Sequence, residues 1–102
     1  MFTSSEKTII EDIIEHFGHT SQLVKSVEEA GEYITAVTRY LSLKDENGTL
    51  KEHAIEEVAD ALIMLSQVRI ILGADDVDEV ISFKLGRTMD RIKTEEKINA
   101  RT

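Results

Sequence analysis

Residues 49–73 read Thr-Leu-Lys-Glu-His-Ala-Ile-Glu-Glu-Val-Ala-Asp-Ala-Leu-Ile-Met-Leu-Ser-Gln-Val-Arg-Ile-Ile-Leu-Gly. The run has no proline and no internal glycine, and it closes on Gly73, a residue suited to ending a helix. A helix is predicted from near Thr49–Lys51 to Gly73. Ile55, Val58, Ala59, Leu62, Leu65, Ser66 and Arg69 fall on one side of it. Met64, Val68 and Ile71 occupy another, and Ile63 and Ile70 fill the gap. A helix that is apolar nearly all round is expected to be buried nearly all round. In a chain of 102 residues this predicts a subunit interface as well as a core. Glu57 and Asp60 fall on the side of Met64 and Ile71 and so continue a row that reads as buried. A carboxylate facing protein must be paired, protonated or coordinated, and few cations stand near these two in the sequence.

Upstream, residues 27–33 read Val-Glu-Glu-Ala-Gly-Glu-Tyr and repeat the spacing, with Glu29 and Glu32 three residues apart as Glu57 and Asp60 are. Positions i and i+3 share one face of a helix. The surrounding segment predicts a second helix, capped by Thr20 or Ser21 and running to about Leu43. Its apolar stripe is Leu23, Val24, Val27, Ala30, Ile34, Val37 and Leu41. At ~100° per residue Glu32 lies nearly opposite that stripe, and Glu29 lies about 120° to one side, in a row with Tyr33, Ala36 and Tyr40. Taken alone this helix predicts a solvated acidic face. Two such pairs on facing helices would gather four carboxylates, which needs a counter-charge, and a hard divalent cation prefers oxygen ligands. Spacing alone leaves both readings open: a carboxylate metal site, or solvated and ion-paired acids.

The remaining segments frame these two. Thr3 and Glu6 have capping-box spacing, and Ile9, Ile10, Ile13, Ile14 and Phe17 form a stripe, predicting a helix over residues 4–17 that stops at Gly18. Lys44-Asp45-Glu46-Asn47-Gly48-Thr49 is polar and holds an Asn-Gly turn signal, predicting a helix–loop–helix connection. Asp75 or Asp76 can cap a fourth helix with Val77, Val80, Ile81, Leu85, Met89 and Ile92 on one stripe. The same helix carries Lys84, Arg87 and Arg91, and residues 93–102 are expected to be exposed, extended or frayed. His16, His19 and His53 are too scattered for a zinc set and read as surface histidines. Tyr33 and Tyr40 read as packing residues, with a nucleobase contact left open by their place on the Glu29 row.

Composition narrows the classes. One domain is expected from 102 residues, 41% of them hydrophobic, with no proline, which points to an all-α fold. A net charge of −8 argues against binding to a nucleic-acid backbone. The absence of cysteine excludes disulfides, thiolate metal sites and a cysteine nucleophile. No apolar run approaches the ~20 residues of a membrane span, and no signal peptide is seen; a cytoplasmic protein without a membrane partner is the expectation.

The pattern Glu28-Glu29-Ala-Gly-Glu32, a gap, then Glu57-Val-Ala-Asp60, with Lys84 and Arg91 beyond, resembles the MazG-like nucleotide pyrophosphohydrolases of the all-α NTP pyrophosphatase group. The resemblance runs from about Leu23 to Ile92. It implies a four-helix MazG-like bundle assembled as a homodimer or homotetramer. It implies Mg²⁺-dependent hydrolysis of a nucleoside triphosphate to monophosphate and pyrophosphate, with Mn²⁺ as a substitute ion. Glu29, Glu32, Glu57 and Asp60 match the metal ligands. Glu28 matches the extra acid, a further ligand or a water-activating catalytic group. Lys84 and Arg91 match the phosphate-binding positions, with Arg87 as a neighbour. Phosphoribosyl-ATP pyrophosphohydrolase and a dUTPase-like enzyme are alternative activities. A non-catalytic, cation-binding helical oligomer is the alternative of a different class.

Overall fold

The computed structural model describes residues 1–101, which form four α-helices and no strand. They are α1 (Ser4–Phe17), α2 (His19–Ser42), α3 (Thr49–Leu72) and α4 (Ala74–Arg101). No helix among the described residues is long and apolar enough to cross a membrane. The chain divides into two compact units, Met1–Ile71 and the stretch from Leu72 onward.

The first unit is built from α1, α2 and α3. The capping box of α1 is present: the Thr3 N–H donates to Glu6 Oε1 at 2.8 Å, and the Glu6 N–H donates to Thr3 Oγ1 at 3.1 Å. Two orphan donors of the first turn are thereby satisfied. Gly18 ends α1 and opens α2 at once. Its N–H donates to the Ile14 carbonyl, and its own carbonyl accepts from the Gln22 N–H. Its φ of +90° lies in the region that favours glycine. Helix α2 therefore starts at His19 with Gly18 as its N-cap and no side-chain cap, which corrects the expected cap at Thr20 or Ser21.

Ser42 ends α2, and a short turn leads into α3. Asp45 supplies what the Asn-Gly signal did not announce. Its carboxylate accepts from the Leu50 and Lys51 N–H groups at 3.0 and 3.1 Å, capping the start of α3. Asn47 accepts from the Thr49 N–H and hydroxyl in the same turn.

Helices α2 and α3 run antiparallel in a fixed register. Gln22 bonds Gln67, Glu29 meets Asp60, and Glu32 lies beside Glu57. Each forward step along α2 is matched by an equal backward step along α3. The core of the unit is small: Ile10, Ile14, Ala36, Ala54 and Met64 are its buried apolar residues.

Two expectations about the core are corrected here. The apolar stripe predicted for α2 does not face inward; Val24, Val27, Ile34 and Leu41 are exposed, and Gln22 and Ala36 are the buried residues. Helix α3 is not covered all round either, since Ile55 and Leu65 are each 59% exposed. Within this unit only α1 and α2 are available to pack on it, and Ala54, Met64 and Gln67 are its buried residues.

Helix α4 forms the second unit. It starts without the predicted cap: the Gly73 carbonyl accepts from the Val77 N–H, and Asp75 and Asp76 lie in the first turn, where negative charge suits the helix dipole. Residues 93–101 are helical instead of extended, although exposed, and Thr102 lies outside the described residues.

Candidate metal centre

The antiparallel register brings the two acidic stretches together. Glu29, Glu57 and Asp60 each offer an oxygen, and the three oxygens lie within 4.8 Å of one another. Glu32 stands beside both Glu29 and Glu57. All four residues matched to metal ligands thus belong to one cluster.

The four are not equivalent. Glu29 and Glu57 are half-buried, whereas Glu32 and Asp60 are exposed. Glu29 Oε2 and Glu57 Oε2 are closed off from solvent without a hydrogen-bond partner. A carboxylate oxygen sealed from water and left unpaired is costly. Removal from water, followed by the charges of Glu32 and Asp60, holds the Glu29 carboxyl above its ordinary value. Removal from water and then the Glu32 charge do the same at Glu57. There the His53 imidazole pulls the other way and Asp60 adds to the rise. Helix geometry puts His53 one turn before Glu57. The surface position expected of this histidine agrees with its exposure, and it lies beside Glu57, lining one cleft with it.

The cluster separates two clefts. One, of ≈ 470 Å³, is lined by the polar side chains of Glu28, Glu32, Thr35, His53 and Glu57, together with Gly31. Glu28 is therefore an exposed wall of this cleft and stands outside the three-carboxylate group. The other, of ≈ 250 Å³, opens against α1. Glu29 and Asp60 form its acidic end, and Gln22 and Gln67 are polar residues deeper along the same helices.

Lys84, Arg87 and Arg91 are exposed on α4 at positions that share one face of a helix. The Arg87 guanidinium lies 5.9 Å from the centre of the Phe83 ring, within cation–π range.

Sequence reasoning had not singled out His53, Gln22, Gln67 or Asp45 for these places. The signal for His53 was its spacing of one turn from Glu57. For the glutamines it was a spacing of two turns from an acid on each helix, Gln22 before Glu29 and Gln67 after Asp60.

The donor set would suit a hard cation. Its ligands are oxygens, several are anionic, and no soft sulfur ligand is present in the sequence. The unpaired oxygens of Glu29 and Glu57 are the atoms such an ion would satisfy. No protein-family model, curated protein or solved structure matches this chain.

Proposed function

We propose that this chain is a MazG-like, Mg²⁺-dependent nucleoside triphosphate pyrophosphohydrolase that works as a homo-oligomer. The observation that carries this reading is the convergence of Glu29, Glu57 and Asp60 with two sealed, unpartnered oxygens among them. Glu29, Glu32, Glu57 and Asp60 are the residues that would hold the ion. When bound, Mg²⁺ offsets the charge of the polyphosphate and makes water more acidic.

The protein's own residues divide the remaining work. Water attacks the α-phosphorus, the bond from that phosphorus to the bridging oxygen breaks, and pyrophosphate leaves. In this reading Glu28, which lines the polar cleft, accepts the proton of the attacking water as a general base. No covalent intermediate is required, and the chain has no cysteine to form one. The assignment of Lys84, Arg87 and Arg91 to the phosphates rests on the resemblance; such cations would offset charge on the leaving pyrophosphate.

The homo-oligomer is supported by the apolar surface that one chain leaves open. Ala30, Tyr33, Ile34, Val58, Leu62 and Leu65 line a groove of ≈ 470 Å³ on α2 and α3. Exposed apolar side chains grouped in this way would gain by burial against a second copy. A dimer or tetramer is expected by light scattering at micromolar protein.

The deciding experiment incubates the protein with a panel of NTPs and dNTPs, with and without Mg²⁺, and resolves the products. Nucleoside monophosphate and pyrophosphate formed only with Mg²⁺ is the expected result. Diphosphate and orthophosphate would mean that a different bond is cut. Failure to turn over any nucleotide would leave the cluster as a cation site in a binding protein.

A further inference from the structure

The ≈ 250 Å³ cleft on the α1 side of the carboxylates contains chemistry that the hydrolysis itself does not use. Gln22 and Gln67 are 4% and 1% exposed, the two buried polar residues among those described. Gln22 Nε2 donates to Gln67 Oε1 at 2.7 Å, tying α2 to α3. A buried amide pair is not needed for packing, since two apolar side chains of the same shape are close to neutral in its place.

Position gives the pair a second meaning. Gln22 and Glu29 are two turns apart on α2, as Asp60 and Gln67 are on α3. At 1.5 Å per residue the amides lie about 10 Å along the helices from the carboxylates. The cleft joins these two points. Its walls between them are apolar, with Ile13, Ile63 and Met64, and Phe17 stands exposed at its edge. Lys25 lines it too and carries the one positive charge of its lining.

The volume is below the ~300–1,000 Å³ of pockets that enclose whole drug-sized ligands. It suits one part of a larger molecule whose charged end lies elsewhere. Apolar walls, an aromatic edge and paired amides together suit a planar ring with hydrogen-bonding groups on its rim. Gln side chains recognise nucleobases in this way, offering a donor and an acceptor from one plane. The Gln67 amide is able to exchange a partner: its Nε2 donates to the Met64 sulfur at 3.6 Å, and a thioether is a weak acceptor that a ring nitrogen or carbonyl can outcompete.

We propose that this cleft holds the nucleobase of the substrate and that Gln22 and Gln67 are specificity-determining residues that read its hydrogen-bonding edge, with Phe17 contacting the ring face. The inference rests on the nucleotide reading above and names the part of the substrate each end of the site takes: the carboxylates the phosphates with their ion, the amides the base.

The test uses the full chain and a Gln22→Leu/Gln67→Leu double variant, which replaces both amides together and so strands neither. Helical circular dichroism and melting check its fold, and Phe17→Ala, at an exposed position, is the second variant. With the double variant, KM for the preferred nucleotide should rise about tenfold, and the spread of kcat/KM across the bases should shrink by a similar factor. With Phe17→Ala, KM should rise for every base alike. In the unmodified protein, the Gln22 and Gln67 side-chain NH₂ resonances should move on titration with the preferred nucleoside monophosphate and stay still with ribose 5-phosphate. Unchanged base discrimination in a folded double variant, or equal shifts with ribose 5-phosphate, would overturn the subsite while leaving the hydrolase reading intact. Absence of nucleotide turnover by the unmodified protein would remove both.

Discussion

The two acidic stretches look alike in sequence and differ in space, and the difference does not follow the helices. Each stretch gives one inner and one outer carboxylate. Glu29 of α2 and Glu57 of α3 are half-buried with a sealed oxygen, while Glu32 and Asp60 are exposed. Antiparallel pairing explains the cross: Glu29 meets Asp60 and Glu32 meets Glu57, so an inner acid on one helix faces an outer acid on the other. A helical wheel ranks positions within one helix. It cannot rank them across a pair, because burial of a side chain is decided by the register of the partner.

The largest expected effects come from the inner pair. Glu29→Gln and Glu57→Gln should each lower Mg²⁺-dependent turnover by on the order of 100-fold or more, whereas Glu32→Gln should cost about tenfold. Steady-state kinetics over a Mg²⁺ titration measure both. Equal losses at Glu29 and Glu32 would erase the distinction between inner and outer acids.

Next comes the dependence of stability on pH without metal. Glu29 and Glu57 hold their protons more tightly in the folded state than in the unfolded chain, for the reasons of burial and like charge given above. The folded state then binds more protons, so stability falls as pH rises through the carboxylate range and is regained as pH is lowered. Melting of the metal-free protein should show this slope. Mg²⁺ should flatten it, and Glu29→Gln with Glu57→Gln should flatten it without metal. A slope of the opposite sign would mean that the acids are stabilised as anions in the absence of an ion.

The smallest effect sits away from the comparison and calibrates it. Thr3→Ala removes the capping box of α1 and should cost about 1 kcal/mol, seen as a drop of several degrees in melting temperature. Turnover at temperatures well below melting should be preserved.

Much of the fold was legible because its signals are local. The Thr3–Glu6 spacing, the stop at Gly18 and the length of residues 49–72 each depend on neighbours within a turn or two, and each prediction agrees with the helix found. The inward face of α2 was not legible. Its most apolar stripe, through Val27, Ile34 and Leu41, points to solvent in the single chain, and the buried positions are Gln22 and Ala36. Apolar periodicity reports every surface a helix buries in its working state. It does not separate the face covered by the same chain from a face left for another. Each helix was read half right: on α3 Glu57 is half-buried but Asp60, expected on the same buried row as Met64, is exposed, and on α2 Glu32 is exposed as the wheel had it while Glu29 is half-buried, because the wheel was centred on the uncovered stripe.

The matched spacing on α2 and α3 also governs where the chain can change length. One extra residue between Gln22 and Glu29, or between Asp60 and Gln67, would rotate one end of the site by about 100° against the other. Amides and carboxylates would no longer share a cleft, however well both helices remained folded. The turn over residues 43–48 carries no such constraint, provided the Asp45 cap is kept, and doubling a flexible loop costs only about 0.6 kcal/mol in closure entropy. Diverging copies of this design should therefore record insertions at the bend and substitutions elsewhere, so that the bend keeps their history while the paired helices keep their phase.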